Sequence, residues 1–238
     1  MIRRISRKVK SFWAALALLS VEMSIILVLF VVALGVFVYM IRKVFIQNRT
    51  YVDQEIFGYL QNHVSNRNNY IMEFFTFLGT HTFLIPANLI LISYFLFIQK
   101  HKWYSIKIPA IALSSLGLMF ALKSLFHRER PDIPLLQEAK GLSFPSGHAL
   151  FSVTFYGLLI YIIFKNVKNK ELKWFLICLL LLLILTIGFS RIYLRVHYAS
   201  DVIAGYCVGF LWLVFAVWLL NRMENYSSRK LDPVIERE

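Results

Sequence analysis

Charged residues are scarce in this chain: Asp, Glu, Lys and Arg make up 16% of its 238 residues, whereas 58% of the residues are hydrophobic. Soluble domains carry about a quarter charged residues and about half apolar residues, so a soluble fold of this size would expose much apolar surface to water. No polar stretch is long enough to form a separate soluble domain. The composition therefore predicts one integral membrane domain whose apolar surface faces lipid.

Acidic residues and cysteines are also few. Thirteen Asp and Glu against 26 Lys and Arg give a formal net charge of +13. In a soluble protein this balance would indicate nucleic-acid binding, but the cytoplasmic loops of membrane proteins collect Lys and Arg, so no nucleic-acid partner is expected. The two cysteines, Cys178 and Cys207, lie in apolar segments and are expected to pack there rather than form a disulfide or hold a metal.

Six apolar segments are long enough to cross a bilayer, which takes about 17–25 residues. They are 23–41, 80–98, 108–124, 148–164, 174–190 and 202–220. The predicted fold class is an all-α integral membrane bundle of six transmembrane helices. We expect a basic N-terminal segment (1–22), a six-span domain (23–221) whose first span is a retained signal anchor, and a mobile polar C-terminal tail (222–238).

Basic residues are distributed unevenly between the two sides of this bundle. The N-terminus, the 99–107 and 165–173 loops and the C-terminal tail hold sixteen of the 26 lysines and arginines. This side is therefore predicted to be cytoplasmic, with both termini inside. Four tryptophans lie at the same boundary, as in an interfacial aromatic belt; they are Trp13, Trp103, Trp174 and Trp218.

The outer segment 42–79 is less apolar than the spans. From Thr50 it has the pattern of an amphipathic helix, with Asp53 and Thr50 as a capping pair at its start, and the stretch HVSNRNNY (63–70) is expected to turn the chain into the second span. Its apolar residues recur at helical spacing; they are Ile56, Leu60 and Val64. We expect this helix to lie along the outer interface and, with the 132–144 loop, to shape the selection of a head group.

The polar residues of the second half of the chain converge on one membrane face. Because successive spans alternate in direction, the ends of the third and fifth spans lie on the same side as the starts of the fourth and sixth. The residues brought there are Lys123, Arg130, Ser146, Gly147, His148, Arg191, His197 and Asp201. This clustering predicts a functional site.

Three cations beside a helix start suit the binding of a phosphate. Lys123, Arg130 and Arg191 can surround a dianionic phosphate, since Arg offers planar paired donors. The turn at Ser146 and Gly147 precedes the fourth span, and a helix N-terminus presents free N–H groups and partial positive charge to an anion. The Ser146 hydroxyl adds a further donor.

Two histidines complete the chemistry. Asp201 lies one helical turn beyond His197, so the two side chains are expected to share a helix face. The carboxylate can fix the imidazole tautomer and leave the other ring nitrogen free to attack phosphorus. His148 can then protonate the leaving group. The residues predict a phosphohistidine on His197, formed and hydrolysed without a metal or cofactor.

Three motifs in this region resemble a known signature. They are K-x6-R-P at 123–131, P-S-G-H at 145–148 and S-R-x5-H-x3-D at 190–201, and they are similar to the three-part signature of the type 2 phosphatidic acid phosphatase superfamily. That superfamily includes bacterial phosphatidylglycerophosphatases, undecaprenyl pyrophosphate phosphatases and soluble vanadium haloperoxidases. The resemblance implies a phosphatase/haloperoxidase-like helical core and the same roles for the residues given above.

The predicted function is hydrolysis of a lipid phosphate or pyrophosphate at the outer face of a bacterial inner membrane. The candidate substrates are undecaprenyl pyrophosphate, phosphatidylglycerophosphate and phosphatidic acid. A lipid phosphotransferase of the same superfamily would use the same intermediate. A haloperoxidase is disfavoured by the six apolar spans, and a lipid-phosphate transporter is disfavoured because the polar residues cluster at one mouth instead of crossing the midplane.

Three further residues have structural interpretations at this stage. Arg128 is interpreted as an ordinary loop charge beside the first motif. Gly205 and Gly209 form G-x-x-x-G, a close-packing pattern of membrane helices, and are expected to pack within the bundle.

Overall fold

The computed structural model describes residues 21–47, 51–132, 134–135 and 141–230, with side chains described as far as residue 228. Every regular element in these ranges is a helix. The helices are α1 (Val21–Ile41), α2 (Tyr51–Gln61), α3 (Asn66–Phe77), α4 (His81–Ser93), α5 (Lys102–Phe126), α6 (Gly147–Asn166), α7 (Lys170–Tyr193) and α8 (Ala199–Lys230). π-helical turns at Arg42–Ile46 and Tyr94–Ile98 extend α1 and α4.

Six helices in the described ranges are long and apolar enough to span a membrane: α1, α4, α5, α6, α7 and α8. The predicted all-α class with six spans is therefore confirmed. α6 is the most buried of the six, and it packs against α5, α7 and α8. The α1 range Val21–Ile41 has no buried residue, although it packs against α8, so most of its apolar surface is left for contact with lipid.

Small residues let α8 approach α6 closely. A Cβ atom at Gly205 would lie 2.6 Å from the carbonyl oxygen of Ser146, and one at Gly209 would lie 2.8 Å from that of Leu150. Both distances are below van der Waals contact, so only glycine fits at these positions. The prediction that the G-x-x-x-G pattern packs within the bundle is confirmed, and it presses the start of α8 against the turn before α6.

The amphipathic helix predicted after Thr50 is present as α2 (Tyr51–Gln61), but the prediction that residues 63–70 only turn the chain is wrong, because α3 begins at Asn66. The segment forms two helices, and Ser65 begins the second because its Oγ atom accepts a hydrogen bond from the backbone N–H of Asn68 at 3.2 Å. The apolar stripe of α2 packs against protein: Leu60 is buried with Tyr193 and Leu194. The turn after α7 offers this apolar surface, so the stripe covers the bundle.

The polar tail predicted from residue 222 is helical as far as it is described, because α8 continues to Lys230. Lys107 on α5 holds this extension: its Nζ atom donates to Asn221 Oδ1 and Glu224 Oε2, each at 2.6 Å. Lys107 is buried, so the ion pair ties α5 to α8 near the start of α5. The predictions made on residues 1–20, Thr50 and 231–238, and on 133 and 136–140 of the outer loop, lie outside the described residues.

Candidate active site

The polar residues that the sequence placed on one membrane face do meet at one end of the bundle. Lys123 lies in the last turn of α5, and Arg191 lies in the last turn of α7. Ser146 is the N-cap residue of α6, whose first residues are Gly147 and His148. His197 lies in the turn between α7 and α8, and Asp201 lies in the first turn of α8.

His197 and Asp201 are both fully buried, and they face each other. Nδ1 of His197 lies 3.6 Å from Oδ2 of Asp201. The hydroxyl of Ser143 bridges them, because it donates to Oδ2 of Asp201 and lies 3.3 Å from Nδ1 of His197. His197 precedes the first residue of α8, so the expectation of a shared helix face is wrong; the turn at 194–198 brings the pair together instead.

Arg130 contacts the other nitrogen of the same imidazole. Its Nη1 atom lies 3.3 Å from Nε2 of His197 and donates to the carbonyl oxygen of Val196 at 2.7 Å, while its Nε atom donates to that of Gly141 at 2.9 Å. A guanidinium group only donates hydrogen bonds, so Nε2 carries the lone pair and Nδ1 carries the proton. Burial, only partly offset by Asp201, lowers the pKa of His197 to about 4, which leaves the imidazole neutral at pH 7.

Three further polar atoms of the motif residues are buried with no hydrogen-bond partner in the described part of the chain. They are Oγ of Ser146, Nε2 of His148 and Nε of Arg191. A buried polar group that stays unsatisfied costs about 1–3 kcal/mol. Lys123 also lies at this end, where its Nζ atom donates to the carbonyl oxygen of Leu142. Oxygen atoms of a phosphate group match this set of donors.

Packing against other elements fixes the turn that precedes α6. The Phe144–Pro145 peptide is cis, and the buried Phe144 ring lies 5.1 Å from the ring of Phe45 and 5.0 Å from that of Phe126. The backbone N–H of Ser146 donates to the carbonyl oxygen of Asp201 at 3.0 Å. Elements α1, α5 and α8 therefore hold this turn.

Sequence reasoning missed Arg128, Asp53 and Ser143. Arg128 donates to Asp201 Oδ1 at 2.5 Å and to Asp53 Oδ2 at 3.1 Å, so its interpretation as an ordinary loop charge is wrong. Asp53 is buried, and it accepts hydrogen bonds from Arg128 and from the backbone N–H and hydroxyl of Ser200. The sequence did contain a signal for Asp53: it lies seven residues before Leu60, so it is a carboxylate on the otherwise apolar stripe of α2.

A sequence model of the PAP2 superfamily matches residues 105–224, more than half of the chain and all three motifs. The chain belongs to the PAP2 superfamily. This PAP2 protein is similar to phosphatidylglycerophosphatase B of Bacillus subtilis (strain 168), with 29% identity over 165 residues that cover 68% of this chain and 79% of that protein.

Two solved structures have a similar fold. The first is the crystal structure of the first transmembrane PAP2 type phosphatidylglycerolphosphate phosphatase from Bacillus subtilis, with a TM-score of 0.74, 24% identity and coverage of 81% of this chain and 96% of that chain. The second is Aquifex aeolicus LpxE, with a TM-score of 0.51, 25% identity and coverage of 69% and 93%. The predicted family, fold and enzyme class are confirmed: this PAP2 protein is an integral membrane phosphatase of the lipid phosphatase class.

Proposed function

We propose that this PAP2 phosphatase hydrolyses the terminal phosphate of a lipid phosphate or pyrophosphate through a phosphohistidine on His197. One observation carries the proposal: the two nitrogens of a buried, neutral imidazole face groups of opposite kind. Nε2 faces the Arg130 guanidinium at 3.3 Å, and Nδ1 faces the Asp201 carboxylate at 3.6 Å. This arrangement suits an imidazole that attacks an anion with Nε2 and is held by a carboxylate at Nδ1.

The phosphate ligands in this proposal are the groups around that nitrogen. Lys123, Arg130 and Arg191 supply positive charge, and Ser146 and Gly147 supply the hydroxyl and the backbone N–H at the start of α6. The unpartnered Oγ of Ser146 and Nε of Arg191 support these assignments. Charge that spreads over the equatorial oxygens in the transition state is stabilised by the same donors.

The first chemical step forms a nitrogen–phosphorus bond. The lone pair on Nε2 of His197 attacks phosphorus as the bond between phosphorus and the leaving oxygen breaks. His148, in its protonated form, gives its proton to that oxygen, so the lipid product leaves as an alcohol or as a lipid monophosphate. Asp201 stabilises the positive charge that develops on the imidazole.

In the second step His148 acts as a base instead of an acid, and His197 is the leaving group instead of the nucleophile. A water molecule attacks phosphorus, His148 takes a proton from it, and the nitrogen–phosphorus bond breaks to release inorganic phosphate and neutral His197. No metal or cofactor takes part in either step of the proposed scheme, because the three cations supply the charge that a metal would otherwise supply. If another acceptor replaced water, the protein would be a phosphotransferase.

A lipid substrate suits a site that lies at one mouth of the bundle, because the tail can stay in the bilayer while the head group reaches the cations. Undecaprenyl pyrophosphate, phosphatidylglycerophosphate and phosphatidic acid all fit this description. The name of the Bacillus subtilis relative supports testing phosphatidylglycerophosphate first.

The proposed location is a bacterial inner membrane with the site on the extracytoplasmic face. The sixteen basic residues of the N-terminus, the two opposite loops and the tail support this orientation. Trp103 and Trp174 lie at the starts of α5 and α7, at the end of the bundle opposite to the site. Membrane lipids would be the surroundings, and no nucleic-acid partner is proposed.

Phosphate release by detergent-purified protein tests the proposal. The three lipid phosphates are assayed with water as the sole acceptor, with EDTA, with vanadate, and with His197→Ala. We expect release of phosphate without an added acceptor, no loss in EDTA, inhibition by vanadate and a fall of several orders of magnitude in the variant. His63→Ala, which changes an exposed histidine on the same face, is the matched control. A requirement for Mg²⁺ or retained activity in His197→Ala would contradict the scheme.

A further inference from the structure

Arg128 lies between two buried carboxylates. Its Nη1 atom donates to Asp201 Oδ1 at 2.5 Å and to Ser200 Oγ at 2.7 Å, and its Nη2 atom donates to Asp53 Oδ2 at 3.1 Å. The side chains of Arg128, Asp53 and Asp201 are 9%, 6% and 0% exposed. This arginine is therefore committed to protein carboxylates.

Asp53 connects the outer helix α2 to the start of α8. Its Oδ1 atom accepts from the backbone N–H of Ser200 at 3.1 Å, and its Oδ2 atom accepts from the Ser200 hydroxyl at 2.7 Å. Ser200 is the second residue of α8, so a carboxylate from another helix caps the helix that carries Asp201. A negative charge at a helix N-terminus is favourable.

An aromatic contact holds the guanidinium in place. The Cζ atom of Arg128 lies 4.1 Å from the ring centroid of Tyr198, and that ring lies 5.8 Å from the ring of Phe57 on α2. The Arg128 side chain is thus fixed on its face by Tyr198 and at its edge by the two carboxylates. α2 supplies both Asp53 and Phe57 to this arrangement.

The charges explain why this arginine matters for Asp201. A buried carboxylate is costly unless a cation or hydrogen-bond donors compensate it. His197 is neutral at pH 7, and Lys123 and Arg130 donate to backbone carbonyl groups. Among the lysines and arginines that the structure describes, Arg128 forms an ion pair with Asp201.

We infer that Arg128 and Asp53 are positioning residues that orient Asp201 toward Nδ1 of His197, and that α2 braces the active site through them. Arg128 holds Oδ1, so that Oδ2 is left for Ser143, the backbone N–H of Tyr198 and the imidazole. The inference rests on the proposed function, since it concerns the partner of the proposed nucleophile. It assigns Arg128 to a different task from that of Arg130, which lies two residues away and faces Nε2.

Steady-state kinetics of Arg128→Gln and Asp53→Asn test this inference. Loss of a residue that orients a metal ligand from outside the coordination shell costs about 10–100-fold in activity, and an orienting role for Arg128 predicts a loss of the same order. We expect kcat to fall by about this factor, while KM and the inhibition constant for vanadate stay close to those of the wild type. Arg130→Gln, in contrast, should raise the inhibition constant for vanadate. Arg128→Lys should recover part of the lost kcat, because it keeps the charge but not the paired donors.

Lys107→Gln is the matched control, because a buried Lys107 also forms an ion pair, with the half-buried Glu224 at the opposite end of the bundle. Lys107→Gln should lower the thermal stability and leave kcat close to that of the wild type. The double variant Asp53→Asn/Arg128→Gln should lose little more kcat than Arg128→Gln alone, since both residues act on Asp201.

Three results would overturn the inference: a wild-type kcat in Arg128→Gln, an equal loss of kcat in Lys107→Gln, or vanadate inhibition weakened as in Arg130→Gln. Should Arg128→Gln fail to fold, Asp53→Asn and Arg128→Lys give the same comparison. Failure of the proposed function is distinguishable, because it would show as no phosphohistidine in the wild type. Failure of the positioning role alone would show as wild-type kinetics in variants of an enzyme that does form one.

Discussion

Nη1 of Arg130 lies 3.3 Å from Nε2 of His197, and this Nη1 atom also donates a hydrogen bond to the carbonyl oxygen of Val196 at 2.7 Å. The guanidinium is therefore fixed beside the imidazole by the backbone of the turn that carries His197. A phosphate bound to Arg130 would lie within reach of that ring nitrogen. Positioning of this kind is a large part of catalysis in phosphoryl transfer.

Asp201→Asn tests the role of the carboxylate. The amide keeps the size of the side chain but can donate to Nδ1 of His197, which favours the tautomer with its proton on Nε2 and removes the attacking lone pair. An analogous change in a serine protease triad lowers kcat about 10⁴-fold, and we expect a loss of that order with little change in KM. Glu224→Gln, which removes the carboxylate that pairs with Lys107, is the control. A loss smaller than tenfold would contradict the proposed role.

The lowered pKa of His197 predicts a dependence of stability on pH. Its pKa is about 4 in the folded protein and about 6.5 when unfolded, so folding favours the neutral form. The resulting contribution, about 3 kcal/mol, is fully present above pH 6.5 and is lost as the pH falls from 6.5 toward 4.

Thermal unfolding in detergent at pH 7.5 and pH 5 checks this prediction with His197→Gln, which cannot titrate. The Tm of the wild type should fall further than the Tm of the variant when the pH is lowered from 7.5 to 5. Equal losses in the two proteins would show that His197 titrates normally.

Gly205→Ala tests the close approach of α8 to the turn before α6. The new Cβ would lie 2.6 Å from the carbonyl oxygen of Ser146 and 2.9 Å from Cβ of Ala149. Overpacking of this kind costs about 1–3 kcal/mol, and displacement of Ser146 should also lower kcat/KM. Gly117→Ala on α5 is the control, since nothing lies within 4 Å of its Cβ. Unchanged Tm and activity in Gly205→Ala would contradict the packing account.

Cysteine labelling tests the proposed orientation. In a variant with Cys178→Ala and Cys207→Ala, a single cysteine is placed either at the exposed Asp132, near the site, or at the exposed Lys168, in the opposite loop. A membrane-impermeant maleimide should label Asp132→Cys on intact spheroplasts and Lys168→Cys only after lysis. The reverse pattern would place the site in the cytoplasm.

The spans and the site were predictable because they depend on local patterns. Lipid imposes long apolar runs, and the alternation of helix direction then brings Lys123, His148 and His197 to one face whatever the details of packing. The three motifs between residues 123 and 201 identified the remaining site residues, since each motif lies at a helix end.

The contacts between distant segments were not predictable in the same way. Nothing in the local sequence shows that the stripe of α2 covers the turn at 194–198 instead of lipid, because both surfaces are apolar. Asp53 pairs with Arg128 and Ser200, which are 75 and 147 residues away. The role of Arg128 was missed for the same reason, since its partners lie on α2 and α8.

The most direct test of the central claim is to trap the phosphoenzyme. Wild-type protein is mixed with a lipid phosphate radiolabelled in its terminal phosphate, quenched within milliseconds in alkali and examined for protein-bound label. The account predicts label that is stable to alkali, labile to acid and located on His197, and no label in His197→Ala. A wild type that releases phosphate without any labelled protein, or a His197→Ala variant that still takes up label, would contradict it.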